Sequence, residues 1–270
     1  MARFGYVEGT SFFHRMDPTW KLLWNLVIVG MVILSFDLLY ALACFLYVFT
    51  LTMVVARIPL RRYARSITVF LGMGLFIALW KSLYSAWAGY EAVHVWYAWG
   101  PINVTREGVY DGAATMARVL AIASVSLLFT LTTDPARLVD SLIQVAGLPH
   151  RIGYTAYAAL RFIPLYESEA RTIKQAHQIR GVGENGKGVL PKLRLYRSML
   201  VPLLVSGIRR AQATSIAMDS RAFGAYDRRT VVQKAEVSPD TKAFVLAHVP
   251  AAAAAFYYFV MLGHGVQIVR

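Results

Sequence analysis

Two short patterns place the same chemistry at two points of the chain. They are Ala176-His177-Gln178-Ile179-Arg180-Gly181 and Ala217-Met218-Asp219-Ser220-Arg221-Ala222. Each reads Ala, three residues, Arg, then a small residue, and each ends a segment that reads as a long helix. A guanidinium is a permanently charged, planar fork suited to bidentate contacts. In the last turn of a helix it also complements the partial negative charge of the free carbonyls. The plain alternative is therefore that each arginine only completes its own helix end. The recurrence of Ala at the same offset argues instead for one protein presenting two arginines alike to two similar partners. Gly181 suits the left-handed position that closes a helix. Ala222 takes that place in the second copy, which predicts that the cap there moves on to Gly224.

Other chemistry is hard to place. Gly181-Val182-Gly183-Glu184-Asn185-Gly186 fits G-x-G-x-x-G, and Lys187 follows, but Gly188 stands where a phosphate-binding loop needs Ser or Thr and no strand precedes the glycines. A polar loop between two helices is the expectation, and no nucleotide is expected to bind this chain. The six histidines are scattered, no Cys pair or H-E-x-x-H occurs, and no metal site is expected. The single Cys44 lies in an apolar run and can form no intramolecular disulfide.

The elements that must hold the arginines are those of a membrane protein. Of 270 residues 57% are apolar, with a mean hydropathy of +0.48 and a formal net charge of +13. Several apolar runs approach the roughly 20 residues that a bilayer demands of a helix. Asp17-Pro18 is a strong helix start, Asp as cap and Pro at the first position. Spans are expected at Pro18 to about Phe36, Leu38 to Ala56, Ser66 to Trp80 (extending toward Trp87), Ala113 to Leu131, and Ala243 to Leu262. Arg57, Arg61, Arg62 and Arg65 crowd one short loop, and Tyr90, Trp96, Tyr97 and Trp99 beside Gly100-Pro101 suit a membrane interface. Arg118, near one end of its span, reads as packed or snorkelling. The basic residues before the first span, in that loop and through 133–242 fall on one side, leaving Lys81, Arg106 and Arg270 on the other. The positive-inside rule then puts the N-terminus in the cytoplasm.

The polar stretch reads as three helices. A short amphipathic one follows Thr133-Asp134-Pro135 and ends at Gly147. A second runs from about Ile152 to Arg180 and a third from about Leu193 to Phe223. The last two carry proline in a matching frame, Phe162-Ile163-Pro164-Leu165 and Leu200-Val201-Pro202-Leu203, where a kink is expected. The fold class is thus an all-α integral membrane protein, with about five transmembrane helices and three cytoplasmic or interfacial coupling helices. Its regions are 1–132 with spans one to four, 133–241 with the coupling helices, and 242–270 with the last span.

From about Ser11 to Gly224 the chain resembles the transmembrane coupling (T) component of energy-coupling factor transporters. The resemblance rests on His14-Arg15-Met16-Asp17-Pro18 with Lys21-Leu22-Leu23, on Thr132-Thr133-Asp134-Pro135, on Ala159-Leu160-Arg161-Phe162-Ile163-Pro164, and above all on the two arginine patterns. These look like the family's paired Ala-Arg-Gly signatures, although the first copy reads Ile-Arg-Gly and the second Ser-Arg-Ala. It implies a non-catalytic subunit in the plasma membrane that moves with two ATP-binding cassette ATPases. Each ATPase would receive one helix end, Ala176, Arg180 and Gly181 in one case and Ala217, Arg221 and Ala222 in the other. A separate membrane (S) subunit would hold the vitamin or metal ion, so substrate identity lies outside this chain. ATP would be bound by the partners, with no cofactor in this chain and no nucleic-acid partner. Pro164 and Pro202 would shape the coupling helices, and His14, Asp17 and Pro18 form the N-terminal motif. A membrane-embedded enzyme or a scaffold holding anionic lipids is the alternative, but no positioned acid, base or metal supports an enzyme.

Overall fold

A computed structural model describes residues 6–7, 9–83, 95–99, 102–181, 189–226 and 237–261. They form helices α1 (Phe12–Arg15), α2 (Pro18–Leu34), α3 (Leu38–Thr50), α4 (Leu60–Leu83), α5 (Arg106–Thr132), α6 (Pro135–Gln144), α7 (His150–Ile179), α8 (Val189–Asp219) and α9 (Pro239–Met261). Strands β1 (Val95–Trp99) and β2 (Ile102–Thr105) pair antiparallel between α4 and α5. The protein is an all-α membrane protein, with one small β-ribbon among the described residues.

Among the described residues four stretches are long and apolar enough to cross a bilayer: Leu38–Val55, Leu60–Leu83, Arg106–Thr132 and Pro239–Phe259. At 17 residues α2 is shorter, near the lower end of what a bilayer requires. Of the four, α5 is the most buried, and the others turn most of their apolar residues outward, as lipid-facing helices do. The chain clusters into two compact units, Met1–Ser141 with Ala235–Arg270, and Leu142–Lys234.

In the first unit the polar start of α2 is fixed as the Asp-Pro signature predicts. Asp17 accepts from the Thr19 and Trp20 amides at 3.0 and 3.2 Å, with Pro18 in the first turn. Behind it Phe13, Trp24 and Phe244 pack their rings, joining α1, α2 and α9. Helix α5 approaches its neighbours through small residues: Gly108, Gly112, Ala114, Ala117 and Ala121 are all buried. A side chain on Gly112 would start 2.6 Å from the Ala78 carbonyl of α4, so only hydrogen fits there.

Several boundaries differ from the sequence expectation. The arginine-rich stretch is a loop only as far as Pro59; Arg61, Arg62 and Arg65 lie in the first turns of α4, which begins six residues before the expected span. Helix α3 continues into a π-helical turn, Leu51–Val55, and ends at Arg57 with a positive φ of 53°. The segment expected to hold only interfacial aromatics forms β1 and β2, with Trp96, Tyr97 and Trp99 in β1; Tyr90, Trp87 and Gly100-Pro101 lie outside the described residues. Alternation is too short there for sequence to separate strand from loop. Arg118 is packed inward, donating to the Ser35 carbonyl at 2.6 Å and lying 4.5 Å over the Phe36 ring. Lys81, expected on the outer side, is paired with Asp111 at 2.7 Å.

Candidate functional site

In the second unit α7 and α8, of 30 and 31 residues, run antiparallel. The Phe223 ring packs on Tyr154 and His150, at centroid distances of 4.9 and 6.1 Å. Arg151 reaches toward the Gly224 carbonyl at 3.5 Å. Further along, Gly207 lets the Tyr166 hydroxyl approach so closely that a Cβ would meet it at 2.9 Å. Beside it Glu169 accepts from the Ser206 hydroxyl and, at 3.2 Å, from Arg210, whose guanidinium lies 5.9 Å from the Tyr166 ring centroid. These four residues clasp the two helices.

The pairing fixes where the two arginines stand. Residues just past Arg221 meet the first turn of α7, whereas Arg180 ends that helix. From Tyr154 to Arg180 is up to about 40 Å of straight helix, at about 1.5 Å per residue. The two arginines thus occupy opposite ends of one antiparallel pair. Both are exposed, and among the described residues no carboxylate pairs with either.

Their local geometry is similar. Helix α7 ends at Ile179 and α8 at Asp219, with each arginine just past the end of its helix and each alanine four residues before it. The Gly181 amide donates to the Gln178 carbonyl at 2.9 Å, and the Ala222 amide to the Asp219 carbonyl at 3.0 Å. Gly181 has φ 71° and Ala222 has φ 53°, so both lie in the left-handed region. The Phe223 amide completes the second cap by reaching the Met218 carbonyl at 3.0 Å. The expectation that this cap moves to Gly224 is therefore overturned. Gly224 is also left-handed, at φ 85°, but Ala222 itself closes the helix, and Phe223 packing on Tyr154 holds the chain in that turn. Such strain at a non-glycine residue costs about 1 kcal/mol and persists where surrounding contacts hold it.

The other sequence candidates fall elsewhere. Pro164 and Pro202 lie within continuous helices, flanking the clasp. Pro164 leaves the Leu160 carbonyl without its helical donor, and Pro202 does the same to Ser198. The N-terminal motif belongs to the first unit. His14 is buried, its Nε2–H donating to the Val7 carbonyl at 2.8 Å and its Nδ1 lying 2.6 Å from the Ser11 hydroxyl. Burial holds its imidazole below the ordinary histidine range; the Val7 carbonyl acts the other way and Lys21 reinforces burial. Asp17 receives a hydrogen bond from Ser141 of α6 at 2.9 Å. Nearby, Lys21 is fully buried and donates to the Thr132 carbonyl, the Thr132 hydroxyl and the Thr133 hydroxyl, at 3.2, 3.3 and 3.1 Å.

Sequence reasoning missed the clasp and this polar joint. Ser206 and Arg210, four residues apart, share a helix face and could have marked a contact, but nothing pointed to Glu169 as its partner. The glycine-rich loop 182–188, with Lys187 and Gly188, lies outside the described residues; the element leading into Gly181 is a helix rather than a strand. Among the described residues no group of histidine, cysteine or acidic side chains could hold a metal ion.

The family model described as "Cobalt transport protein" (CbiQ) matches residues 9–232, which include both arginine patterns and the N-terminal motif. The chain belongs to this family. Among curated relatives, the energy-coupling factor transporter transmembrane protein EcfT of Streptococcus thermophilus is 30% identical over 234 residues, covering 83% of this chain and 86% of the relative. The protein of the same description from Bacillus subtilis is 30% identical over 241 residues, covering 85% and 87%. That of Lactococcus lactis subsp. cremoris is 29% identical over 232 residues, covering 83% and 85%. The chain is a multi-pass transmembrane (T) component of an energy-coupling factor transporter, and its family role is that of a transport subunit in a larger assembly.

Proposed function

We propose that this chain couples two ATP-binding cassette ATPases to a separate substrate-binding membrane subunit, for uptake of a vitamin or a metal ion. The observation that carries this reading is the pair of arginines with similar cap geometry at opposite ends of α7 and α8. One partner would have to bridge tens of ångströms to take both, whereas two copies of one partner each take one. Arg180 docks in one ATPase and Arg221 in the other, each flanked by the exposed alanine one turn back, Ala176 or Ala217, which leaves room for a groove wall. ATP is bound and hydrolysed by those partners. Closure of their dimer moves α7 and α8, and these displace the substrate-binding subunit. The outward apolar residues of α8, among them Leu200, Val201, Leu204 and Ile208, supply a surface for it. The N-terminus lies in the cytoplasm, on the side of the basic loops, and the membrane is the plasma membrane.

The test is copurification of the ATPases with the chain in detergent, alongside substrate uptake by cells. A buried charge-assisted contact that loses one partner typically costs about 2–5 kcal/mol. At about 1.4 kcal/mol per tenfold, Arg180→Ala or Arg221→Ala should each weaken docking at least tenfold. The double variant should lose the ATPases, because with one point held the second contact is effectively intramolecular. Lysine should rescue poorly if the contact is bidentate. Full copurification and uptake by the double variant would refute docking. Orientation is tested separately in a Cys44→Ala background: Arg106→Cys should label from outside intact cells and Lys174→Cys only after permeabilisation. Both positions are exposed, whereas Thr105 is buried as the cap of α5.

A further inference from the structure

A second polar feature lies in the first unit, away from α7 and α8. A cavity of about 440 Å³ opens between the N-terminal arm and the end of α3. Arg15, His14, Ser11 and Thr10 line one wall, and Val54, Val55, Ala56, Arg57 and Ile58 the other. The arm is pinned in place: Val7 donates to the Leu131 carbonyl at 3.0 Å, its own carbonyl accepts from His14, and Arg15 Nε donates to the Thr10 carbonyl at 3.0 Å. The opposite wall departs from regular helix twice in a row, in the π turn Leu51–Val55 and at left-handed Arg57. Paired irregularities of this kind cluster at functional sites. The Ala56 and Ile58 amides are spent on the Leu51 and Thr52 carbonyls.

We propose that this cavity binds the phosphate headgroup of an anionic membrane phospholipid. Two guanidiniums line it, and among the described residues no carboxylate pairs with either. Leu38–Val55 is a span, so its end sets the cavity at the membrane–water boundary, where headgroups lie. The lining changes character across the cavity. The arginines and the Thr10 hydroxyl suit a phosphodiester, whereas Val54 and Val55 begin the apolar surface along which acyl chains run. Val54 is 72% exposed, and Leu60 just beyond the cavity is 59% exposed. Arg61 and Arg62, in the first turn of α4, extend the positive field at the same boundary. A soluble anion would use the arginines but leave that apolar margin unused.

The experiment is native mass spectrometry of the full-length chain, alone or with copurified partners. Phosphatidylglycerol, phosphatidylcholine and inorganic phosphate are added separately. The variants are Arg15→Gln, Arg57→Gly and their combination. Glycine adopts the left-handed conformation of residue 57 without strain, so Arg57→Gly removes the charge and keeps the turn. The control is Arg171→Gln, on the exposed face of α7. The wild-type chain should retain phosphatidylglycerol at least tenfold better than phosphatidylcholine. Each single variant should weaken retention about fivefold and the pair about 25-fold, as expected for one interfacial cation at a time. The control should match wild type. No preference in the wild type, full retention by the double variant, or inorganic phosphate binding as tightly as the lipid would each overturn the proposal.

Discussion

The joint between Asp17 and Ser141 can be taken apart one atom at a time. Asp17 caps α2 through two amides and accepts from the Ser141 hydroxyl of α6, with both side chains buried. Loss of an N-cap costs about 1 kcal/mol. A hydrogen bond to a charged group adds about 2 kcal/mol. Asp17→Ala removes both and should destabilise the protein by about 3 kcal/mol on those two terms. Ser141→Ala removes the shared bond together with the contact to Thr19, a neutral bond of about 1 kcal/mol, and should cost about 3 kcal/mol. Because the shared bond can be lost only once, the double variant should cost about 4 kcal/mol, leaving a coupling of about 2 kcal/mol against simple addition. Asp17→Asn keeps an acceptor for the cap and should cost no more than about 1 kcal/mol. The Thr19 hydroxyl, 2.6 Å from Ser141, limits the damage by offering that serine a second partner. Unfolding by titration with sodium dodecyl sulfate in mixed micelles, followed by tryptophan fluorescence, measures all four. Additive single effects, or an Asn variant as unstable as the Ala one, would show that the joint does not act through this bond.

Three further outcomes follow from the geometry. Gly112→Val should force α4 and α5 apart, because even a Cβ would sit 2.6 Å from the Ala78 carbonyl, and should cost at least about 1–3 kcal/mol in the same titration. The depressed His14 makes the N-terminal arm acid-sensitive: below the ordinary histidine value of about 6.5 the unfolded chain takes up a proton that the fold refuses. Stability from this group is therefore complete above about pH 6.5 and falls as pH drops toward the lowered value, a slope that His14→Asn should remove. At the helix ends Gly181→Ala should cost about 1 kcal/mol, whereas Ala222→Gly should be neutral or stabilising, as read from amide exchange at the two caps.

What the sequence made legible was set by local rules. Asp-Pro signalled a cap and a first turn, and both stand at Asp17 and Pro18. Apolar run length located the spans, and Ala-x-x-x-Arg located both helix ends to within a residue or two. The start of α4 was misread because four arginines look like a loop, although their long stems let a helix begin among lipid headgroups. The β-ribbon was misread because its strands are short. The Ala222 cap was misread because steric preference favours glycine, and nothing local reveals Phe223 fastened on Tyr154. The clasp and the Lys21 joint were invisible for a different reason. Their partners lie 37 to 112 residues apart, and only the packed fold brings them together.

The positions of the two prolines bear on how the proposed coupling could work. A lever must be stiff at the end that is pushed and compliant where it turns. The outer part of α7 beyond the clasp, and α8 from the clasp to Arg221, carry no proline, so their backbone ladders run unbroken to the two arginines. Pro164 lies two residues before Tyr166 and Pro202 four before Ser206, so each helix loses a backbone bond beside the clasp. Val201, Pro202, Val205 and Arg209 border an open cleft there, leaving α8 room to bend. Glu169 holds both Ser206 and Arg210, one turn apart, and can keep one while the other slides. On the proposed coupling, bending and sliding would be concentrated at the crossing, and the arginine ends would move as rigid arms.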